Sequence, residues 1–269
     1  MDLKSHDTRP GTEGVHTIQV LVRGLEVLSA VLDADDPLTL TEIAKQTDLH
    51  IATASRLLAT LANTGFVTSE PLDRRYYPGP NLAKWLRISK SESLLSQRGL
   101  PMLTALRDLS GESVGLYGLA WPDRISTQRL SSNQPIQHHQ EVGGIGPLTR
   151  GATGRSFLMG APAEYVMQTL AERPLKQYTE NSITGEAAFL EQLSIDHRNG
   201  FSIACEETTY GMNGLTAPII REGSDLPVAV VNVSGPTFRW TRERITQFAP
   251  TLLKQTTQLA DLLAPGSQE

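Results

Sequence analysis

The sequence predicts an α+β protein in two parts: an N-terminal winged helix-turn-helix, then a larger domain that mixes strands with helices. Three observations indicate this fold class. A capping box opens a short helical pair near residue 40, a turn-rich hairpin follows that pair, and strands alternate with helices beyond residue 95. The order helix, helix, helix, hairpin is typical of a winged helix-turn-helix.

The N-terminal part begins with three predicted helices. Apolar residues recur every three or four positions over 15–32, which predicts an amphipathic helix. Thr39 and Glu42 form an S/T-x-x-E capping box that starts a second helix over about 40–47. "DLH" separates this helix from a third, over about 51–64, which ends at a glycine.

A predicted hairpin and a strand-rich domain complete the chain. Two β-prone runs, 66–68 and 75–77, flank a Pro/Asp turn and predict the hairpin. Pro101 is expected to open a new helix at its first turn. Further predicted strands cover 112–121, 123–132, 213–220 and 226–235, and predicted helices cover 153–160, 162–172, 187–200 and a long terminal segment that Thr241 opens.

Composition indicates an ordinary soluble globular protein, with 39% hydrophobic and 20% charged residues. The single cysteine, Cys205, excludes an internal disulfide framework and fits a reducing compartment. The polar N-terminal segment lacks the apolar stretch of a signal peptide, and no apolar run is long enough for a bilayer. We therefore expect a cytoplasmic protein without a membrane partner.

Charge is concentrated locally rather than spread over a basic domain. The net charge is −5 overall, −1 over 1–90 and −4 over 91–269, whereas many DNA-binding domains are basic. Within 74–90, however, there are five basic residues and no acid: Arg74, Arg75, Lys84, Arg87 and Lys90.

The third helix has two distinct faces. Ile51, Ala54, Leu58 and Leu61 form an apolar stripe that would dock the helix, which leaves the opposite stripe exposed. In a helix-turn-helix, the start of this helix enters the major groove, and arginines in the wing suit phosphate or minor-groove contact. The candidate DNA-binding residues are Thr39, His50, Ala52, Thr53, Ser55, Arg56, Thr60, Arg74 and Arg75.

The alternative is that these residues are solvated groups on an ordinary surface helix. For an isolated amphipathic pair that reading would be preferred, because such pairs are common. The hairpin with arginines at its tip, directly after the helix, favours DNA binding instead.

The chain resembles IclR-type transcriptional regulators from about residue 15 to 264. The resemblance is carried by "LTLTEIA", "RLLATLANTGFV" and "RRYYPGP" in the N-terminal part. In the C-terminal part it is carried by "PLTRGATGRSFL", "RNGFSIACEETTYGMNGLTAPI" and "VVNVSGP". Each motif alone is weak, but the combination is specific.

Two departures from the family pattern concern candidate sites. The family usually has Lys or Arg followed by Ser at the start of the recognition helix, where this chain has Ile51 and Ala52. Thr53, Ser55 and Arg56 are therefore expected to carry more of the contact. After "PL", the family's common histidine is replaced by threonine, followed by an uncommon Arg150.

The resemblance implies a ligand-responsive regulator that binds a near-palindromic operator as a homodimer or dimer of dimers. It divides the chain into a flexible tail (1–14), a DNA-binding domain (15–80), a linker helix (81–96) and a GAF-like effector-binding and oligomerisation domain (97–269). The effector would be a small organic acid from a catabolic pathway. The implied lining residues are Arg150, Ala152, Thr153, Cys205, Gly214, Asn232 and Ser234.

The residues themselves support part of this pocket and leave alternatives open. "GAT" at a helix start presents unpaired amides to an anion, and Asn232 and Ser234 lie two apart on one face of a strand. Asn232 could instead bond the backbone, Ser234 could form a turn, Cys205 could be a buried filler, and Arg150 could face solvent.

Catalysis and metal binding are not expected. The sequence contains no G-x-S-x-G elbow, P-loop or G-x-G-x-x-G motif, and "GGIG" at 143–146 is expected to be a loop. His138, His139 and Glu141 lack the spacing of a metal site, so no metal or cofactor is predicted. A small-molecule enzyme with a helical appendage, or a winged-helix protein adaptor, are the alternative functions.

Overall fold

A computed structural model describes residues 17–34, 36–69, 74–82, 90–138, 141–224 and 226–263. Contacts divide the chain into two compact units, Met1–Ser93 and Leu94–Glu269. The predicted tail, residues 83–89 of the predicted linker helix and the tip of the hairpin lie outside the described residues. Among the helices that are described, none is both long and apolar enough to cross a membrane.

The first unit contains the three predicted helices: α1 (Gln19–Leu32), α2 (Leu40–Gln46) and α3 (Ile51–Asn63). Each helix turns one apolar face inward, and in α1 and α3 the buried residues are spaced four positions apart. Together these faces form a small core of Val27, Val31, Ile43, Leu58 and Val67.

The predicted capping box is present at the start of α2. The amide of Thr39 donates to Glu42 Oε2 at 2.7 Å, and the amide of Glu42 donates to Thr39 Oγ1 at 3.4 Å. These hydrogen bonds from Thr39 lower the pKa of the Glu42 carboxyl. The pair fixes where α2 begins, and therefore how the turn leads into α3.

The predicted hairpin is confirmed and forms part of a three-stranded sheet. Strands β2 (Val67–Ser69) and β3 (Arg75–Pro78) pair antiparallel, and β1 (Leu38–Thr39) pairs with the other edge of β3. The sequence did not predict β1, because two residues are too few to show an alternating pattern.

The second unit is built on a six-stranded antiparallel sheet in the order β6-β5-β4-β9-β8-β7. Its strands are β4 (Ser113–Ala120), β5 (Asp123–Leu130), β6 (Ile145–Pro147), β7 (Ser202–Cys205), β8 (Met212–Ile219) and β9 (Ala229–Pro236). Its helices are α4 (Lys90–Ser110), α5 (Gly151–Leu158), α6 (Ala163–Glu172), α7 (Glu186–Asn199) and α8 (Arg242–Leu262).

Helices cover both faces of this sheet, and the two faces differ in character. The face toward α4 and α8 is apolar, with residues such as Val114, Leu215 and Val233 in a core around Trp240. The opposite face is apolar near Tyr117, where α5, α6 and α7 pack on it. Because side chains alternate along each strand, the remaining inward positions on this second face are small or polar.

Two local predictions were wrong. α4 continues through Pro101 instead of restarting there, because Pro101 lies on an exposed side of the helix, where the carbonyl that loses its hydrogen bond can be hydrated. The predicted loop at 143–146 leads into β6, which pairs with β5 through Ile145 and Gly146. Strand β7 was also missed, since only four residues form it.

Candidate functional site

The outward face of α3 is the candidate DNA-reading surface. Ala52, Ser55, Arg56 and Thr60 are exposed and Thr53 is half-buried, as expected for a helix docked through Ala54 and Leu58. Ile51 was expected in the docking stripe but is 53% exposed, because it begins the helix ahead of the buried turn. The exposed face therefore extends to the first residue of α3.

The start of α3 presents uncapped backbone amides. His50 is the exposed N-cap residue, and its side chain makes no capping hydrogen bond. The Thr53 amide donates to the His50 carbonyl at 2.9 Å, which leaves the amides of Ile51 and Ala52 without an intrahelical acceptor at the positive end of the helix dipole. This end of α3 can therefore receive a phosphate group.

The polar groups of this surface differ in how they are engaged. The Arg56 side chain has no hydrogen-bond or ion-pair partner among the described residues, so its guanidinium is available. Thr60 Oγ1 donates to the Arg56 carbonyl at 2.9 Å, and Thr39 Oγ1 donates to Glu42 Oε2 at 2.8 Å. These two hydroxyl protons are used within the first unit, whereas the Arg56 guanidinium can still donate to DNA.

The two wing arginines occupy different environments. Arg74 is exposed and has φ 56°. Arg75 was expected at the hairpin tip, but it is a half-buried residue of β3 whose guanidinium donates to the carbonyl of Pro37. The register of β3 explains the difference, because Arg75 pairs with Thr39 of β1.

In the second unit, several predicted effector residues share one face of the sheet, which we call the polar face. Strand register places Ser113, Ser234 and Gly214 in one row across β4, β9 and β8. The next row contains Gly115, Asn232 and Thr216. Helix α5 packs on this face, where Ser156 Oγ lies 3.0 Å from Ser202 Oγ.

Asn232 and Ser234 are both buried and hydrogen-bonded. Asn232 Nδ2 donates to Thr216 Oγ1 at 2.9 Å and to the Leu215 carbonyl at 3.3 Å. Ser234 Oγ lies 2.9 Å from His138 Nδ1. A Cβ on Gly214 would lie 3.2 Å from Asn232 Nδ2, so glycine leaves room for that amide. The polar face is thus a connected hydrogen-bonded surface.

The start of α5 faces this site with uncapped amides. Arg150 is the N-cap residue and makes no side-chain capping bond, while Ala152 and Thr153 are buried in the first turn. Gly151 has φ 65°, and a Cβ there would lie 2.6 Å from the Thr208 methyl group. Only glycine fits this junction without strain.

Arginines from β5 and from the α5 N-cap position lie near this end of the helix. The Arg124 Cζ is 5.4 Å from the ring centroid of Tyr117, and the Arg150 Cζ is 4.1 Å from that of Tyr178. Burial lowers the pKa of the Arg124 guanidinium, and the charge of Arg150 lowers it further. Arg129 Nη2 donates to the carbonyl of His138. The site is therefore cationic.

The structure does not bring Cys205 to this site. Cys205 pairs with Asn213 and lies on the same side of β7 as Ile203, which packs in the α4–α8 core. It lines a separate cleft of about 400 Å³. Arg242 Nη1 approaches its Sγ at 3.8 Å, yet burial raises the pKa of the Cys205 thiol. Because side chains alternate along β7, Cys205 points to the opposite face of the sheet from Gly214, which pairs with Ala204.

No group of three or more His, Cys, Asp or Glu residues is arranged to hold a metal ion within the described residues. His139 lies outside them, and the ring of His138 contacts Ser234 instead.

Two family models match this chain. The model described as "Bacterial transcriptional regulator IclR C-terminal" matches residues 91–261, and the "IclR helix-turn-helix domain" matches residues 20–71. The first match alone covers more than half of the chain. The chain belongs to the IclR family.

Curated relatives of this IclR-family chain are transcription regulators. It is 28% identical to the HTH-type transcriptional regulator BhcR of Paracoccus denitrificans, over 95% of this chain and 91% of that protein. It is also 28% identical to the transcriptional repressor IclR of Escherichia coli, over 88% and 87% of the two chains. Like its family, the chain is a DNA-binding transcription regulator and not an enzyme.

Solved IclR-family structures share the fold. A putative transcriptional regulator from Rhodococcus sp. RHA1 has a TM-score of 0.74 and 27% identity, and covers 92% of this chain and 98% of that chain. An IclR homolog from Microbacterium hydrocarbonoxydans, solved in complex with 4-hydroxybenzoate, has a TM-score of 0.76 and 21% identity, with coverages of 90% and 99%. The predicted α+β fold class is confirmed.

Sequence reasoning missed three groups at the polar face: Arg124, Tyr117 and His138. None belongs to a recognisable motif, and each reaches the site only through strand register or the β5–β6 connection. The only sequence signal for Arg124 was its position on the inward-facing side of a predicted strand, where a charged side chain is unusual.

Proposed function

We propose that this protein is a ligand-responsive, sequence-specific regulator of a catabolic operon, acting in the cytoplasm with its DNA. It would bind a near-palindromic operator as a homodimer or dimer of dimers, with α3 of two copies in successive major grooves. A small organic acid bound in the second unit would change operator affinity through the predicted linker helix.

One observation carries the DNA-reading part of this proposal. Arg56 projects from the exposed face of α3, opposite the buried Ala54 and Leu58, without a partner among the described residues. A guanidinium in this position can bond a guanine edge or a phosphate. The exposed Arg74 and the uncapped start of α3 would add phosphate contacts.

The chemistry of the polar face supports an acidic effector. Hydrogen-bonding groups of Asn232 and Ser234 lie with the uncapped start of α5 and with nearby arginines. These groups suit a carboxylate, whether its carbon skeleton is aliphatic or aromatic. An acid, 4-hydroxybenzoate, is also the compound named in the structure of the Microbacterium homolog.

The test is a gel-shift titration of the full chain against the DNA upstream of its own gene. We expect salt-sensitive binding that survives excess nonspecific DNA. Arg56→Ala should weaken specific binding by about 5- to 150-fold, the range for loss of one good base contact. The matched control is Arg23→Ala, which removes an exposed arginine from α1.

Two results would contradict the proposal. Binding that shows no sequence preference would exclude a specific regulator of this DNA. Equal affinities for wild type and Arg56→Ala, with circular dichroism confirming that both are folded, would show that α3 is not the reading helix.

A further inference from the structure

The two arginines at the start of α5 have no ion-pair partner among the described residues, unlike Arg155, Arg173 and Arg239 in the same unit. The Nε of Arg124 is buried, and no described residue accepts a hydrogen bond from it. Arg150 makes one long hydrogen bond, from Nη2 to the Thr208 carbonyl at 3.3 Å, and stacks on Tyr178. Neither guanidinium forms an ion pair with a described carboxylate. We call Arg124 and Arg150 the arginine pair.

Two carboxylates of this unit, Asp123 and Glu112, are each bonded by another arginine. Arg173 binds both oxygens of Asp123 at 2.9 and 2.7 Å, and Arg239 binds both oxygens of Glu112 at 2.6 and 2.8 Å. Asp123 is the immediate chain neighbour of Arg124 and its charge raises the pKa of that guanidinium, but its two oxygens are bonded by Arg173. The arginine pair therefore has no directly bonded carboxylate among the described residues.

The start of α5 adds to this excess. The amides of Gly151, Ala152 and Thr153 lie in the first turn, where no intrahelical acceptor exists, and Arg150 gives no side-chain cap. The helix dipole contributes a further partial positive charge at this end. Positive charge is therefore concentrated at this end of α5.

Holding two guanidiniums together in a partly buried place is unfavourable unless an anion accompanies them. A single carboxylate would balance one of the two charges and leave the other. An anionic group with two charges would balance both, and its oxygens could accept from both guanidiniums and from the α5 amides.

We propose that the arginine pair binds a doubly charged group of the effector, either a phosphate monoester or two carboxylates held close together on one small molecule. This inference rests on the proposed function and narrows its effector class from organic acids to dianions. Asn232, Ser234 and Tyr117 would contact the rest of the molecule along the polar face.

The experiment uses ligand pairs that share a skeleton and differ by one charge. Phthalate is compared with methyl hydrogen phthalate, and phenyl phosphate with phenyl sulfate, by calorimetric titration of the full chain at pH 8. Phenyl phosphate is a dianion there, since the second pKa of a phosphate monoester is about 6. We expect the dianion of at least one pair to bind about 10-fold or more tightly than its partner. The pair that shows the preference also distinguishes phosphate from dicarboxylate.

Substitutions of Arg124 and Arg150 test whether the preference for the dianion comes from the arginine pair. Arg124→Gln and Arg150→Gln should each reduce the dianion-to-monoanion ratio toward one, with the monoanion still bound. Arg198→Gln removes an exposed arginine that contacts Ser194 on α7, and it should keep the full ratio.

The outcomes separate this inference from the proposed function. If monoanions bind as tightly as dianions, or if Arg124→Gln and Arg150→Gln both keep the preference, the dianion site is wrong, while an acid-responsive regulator remains. If none of the four probes binds, the dianion site is again wrong. If no compound in a wider set of organic acids binds while operator binding persists, the proposed acidic effector is wrong as well.

Discussion

The arginines near the two ends of α5 differ in whether a carboxylate of the protein is bonded to them. Arg155, which is 1% exposed, lies within 2.7 Å of Asp196 Oδ2 and 2.5 Å of Glu207 Oε2, and it also donates to the Ile203 carbonyl. Arg150 is the N-cap residue at the other end, near Arg124, and neither arginine has a described carboxylate partner. We call Arg155, Asp196 and Glu207 the paired cluster.

The difference distinguishes structural charges from binding charges. In the paired cluster, the one guanidinium of Arg155 bonds both carboxylates, so the cluster joins α5 to α7 and to the segment after β7. In the arginine pair, no described carboxylate bonds either guanidinium. Groups that a fold leaves unsatisfied are those that a ligand can satisfy. Removing charge should therefore harm the fold at one end of α5 and ligand binding at the other.

The largest expected effect is on the paired cluster. Arg155→Leu would leave Asp196 and Glu207 without their cation, which should lower the free energy of unfolding by about 3–5 kcal/mol. Urea denaturation followed by circular dichroism measures it, with Arg198→Leu as the exposed control. A loss below about 1 kcal/mol would mean that this cluster does not stabilise the second unit.

A smaller loss is expected where α5 begins. Gly151→Ala forces a Cβ into a left-handed conformation and 2.6 Å from the Thr208 methyl group. The conformational part should cost about 1–2 kcal/mol in the same assay. Adding Thr208→Ser to Gly151→Ala removes the methyl group that the new Cβ would meet. The double variant should regain the stability lost to this steric contact but not the conformational part. Unchanged stability in Gly151→Ala would show that this junction is not constrained.

The first unit contains its own satisfied polar pair, the capping box of Thr39 and Glu42. Thr39→Ala should lower the stability of that unit by about 1 kcal/mol, because an amide at the start of α2 loses its acceptor. Thr41→Ala, at an exposed position of α2, serves as the control. Equal stabilities of the two variants would argue against a role for the cap.

Arg124→Leu should change the stability of the ligand-free chain by less than about 0.5 kcal/mol, because loss of stacking on Tyr117 offsets removal of an unpaired charge. The same urea assay measures this change. A loss comparable to that of Arg155→Leu would show that Arg124 is paired after all and would remove the contrast between the two ends of α5.

The smallest expected effect is a pH dependence at the capping box. The folded pKa of Glu42 lies below its ordinary value of 4.5, so its contribution is present above pH 4.5 and is lost as the pH falls through the lowered pKa. Thr39→Ala should flatten this loss in urea titrations between pH 5 and about 3. Parallel pH profiles for wild type and Thr39→Ala would contradict this origin.

Local patterns were enough to predict most of the first unit. The capping box, the apolar stripe of α3 and the turn residues of the wing are each recognised from a short stretch of sequence. Arg75 was misplaced because β1, its partner strand, is too short to leave a pattern. Its position is decided by strand pairing and not by its own neighbours in sequence.

Long-range pairing limited prediction in the second unit. Asn232 and Ser234 were placed correctly on one face, since alternation along a single strand is a local property. Cys205 was expected opposite them, but the register of β7 against β8 turns it to the other face. Arg124 was missed because its nearness to Arg150 depends on how β5, β6 and the start of α5 meet.

The most direct test of the account measures operator affinity by fluorescence anisotropy with and without whichever of phthalate and phenyl phosphate binds. We predict that saturating ligand changes the operator Kd of the wild-type chain by about fivefold or more, and that saturating operator changes the ligand Kd by the same factor. Arg124→Gln should keep operator binding and lose this coupling. A ligand that binds the wild type but leaves its operator Kd unchanged would contradict the account.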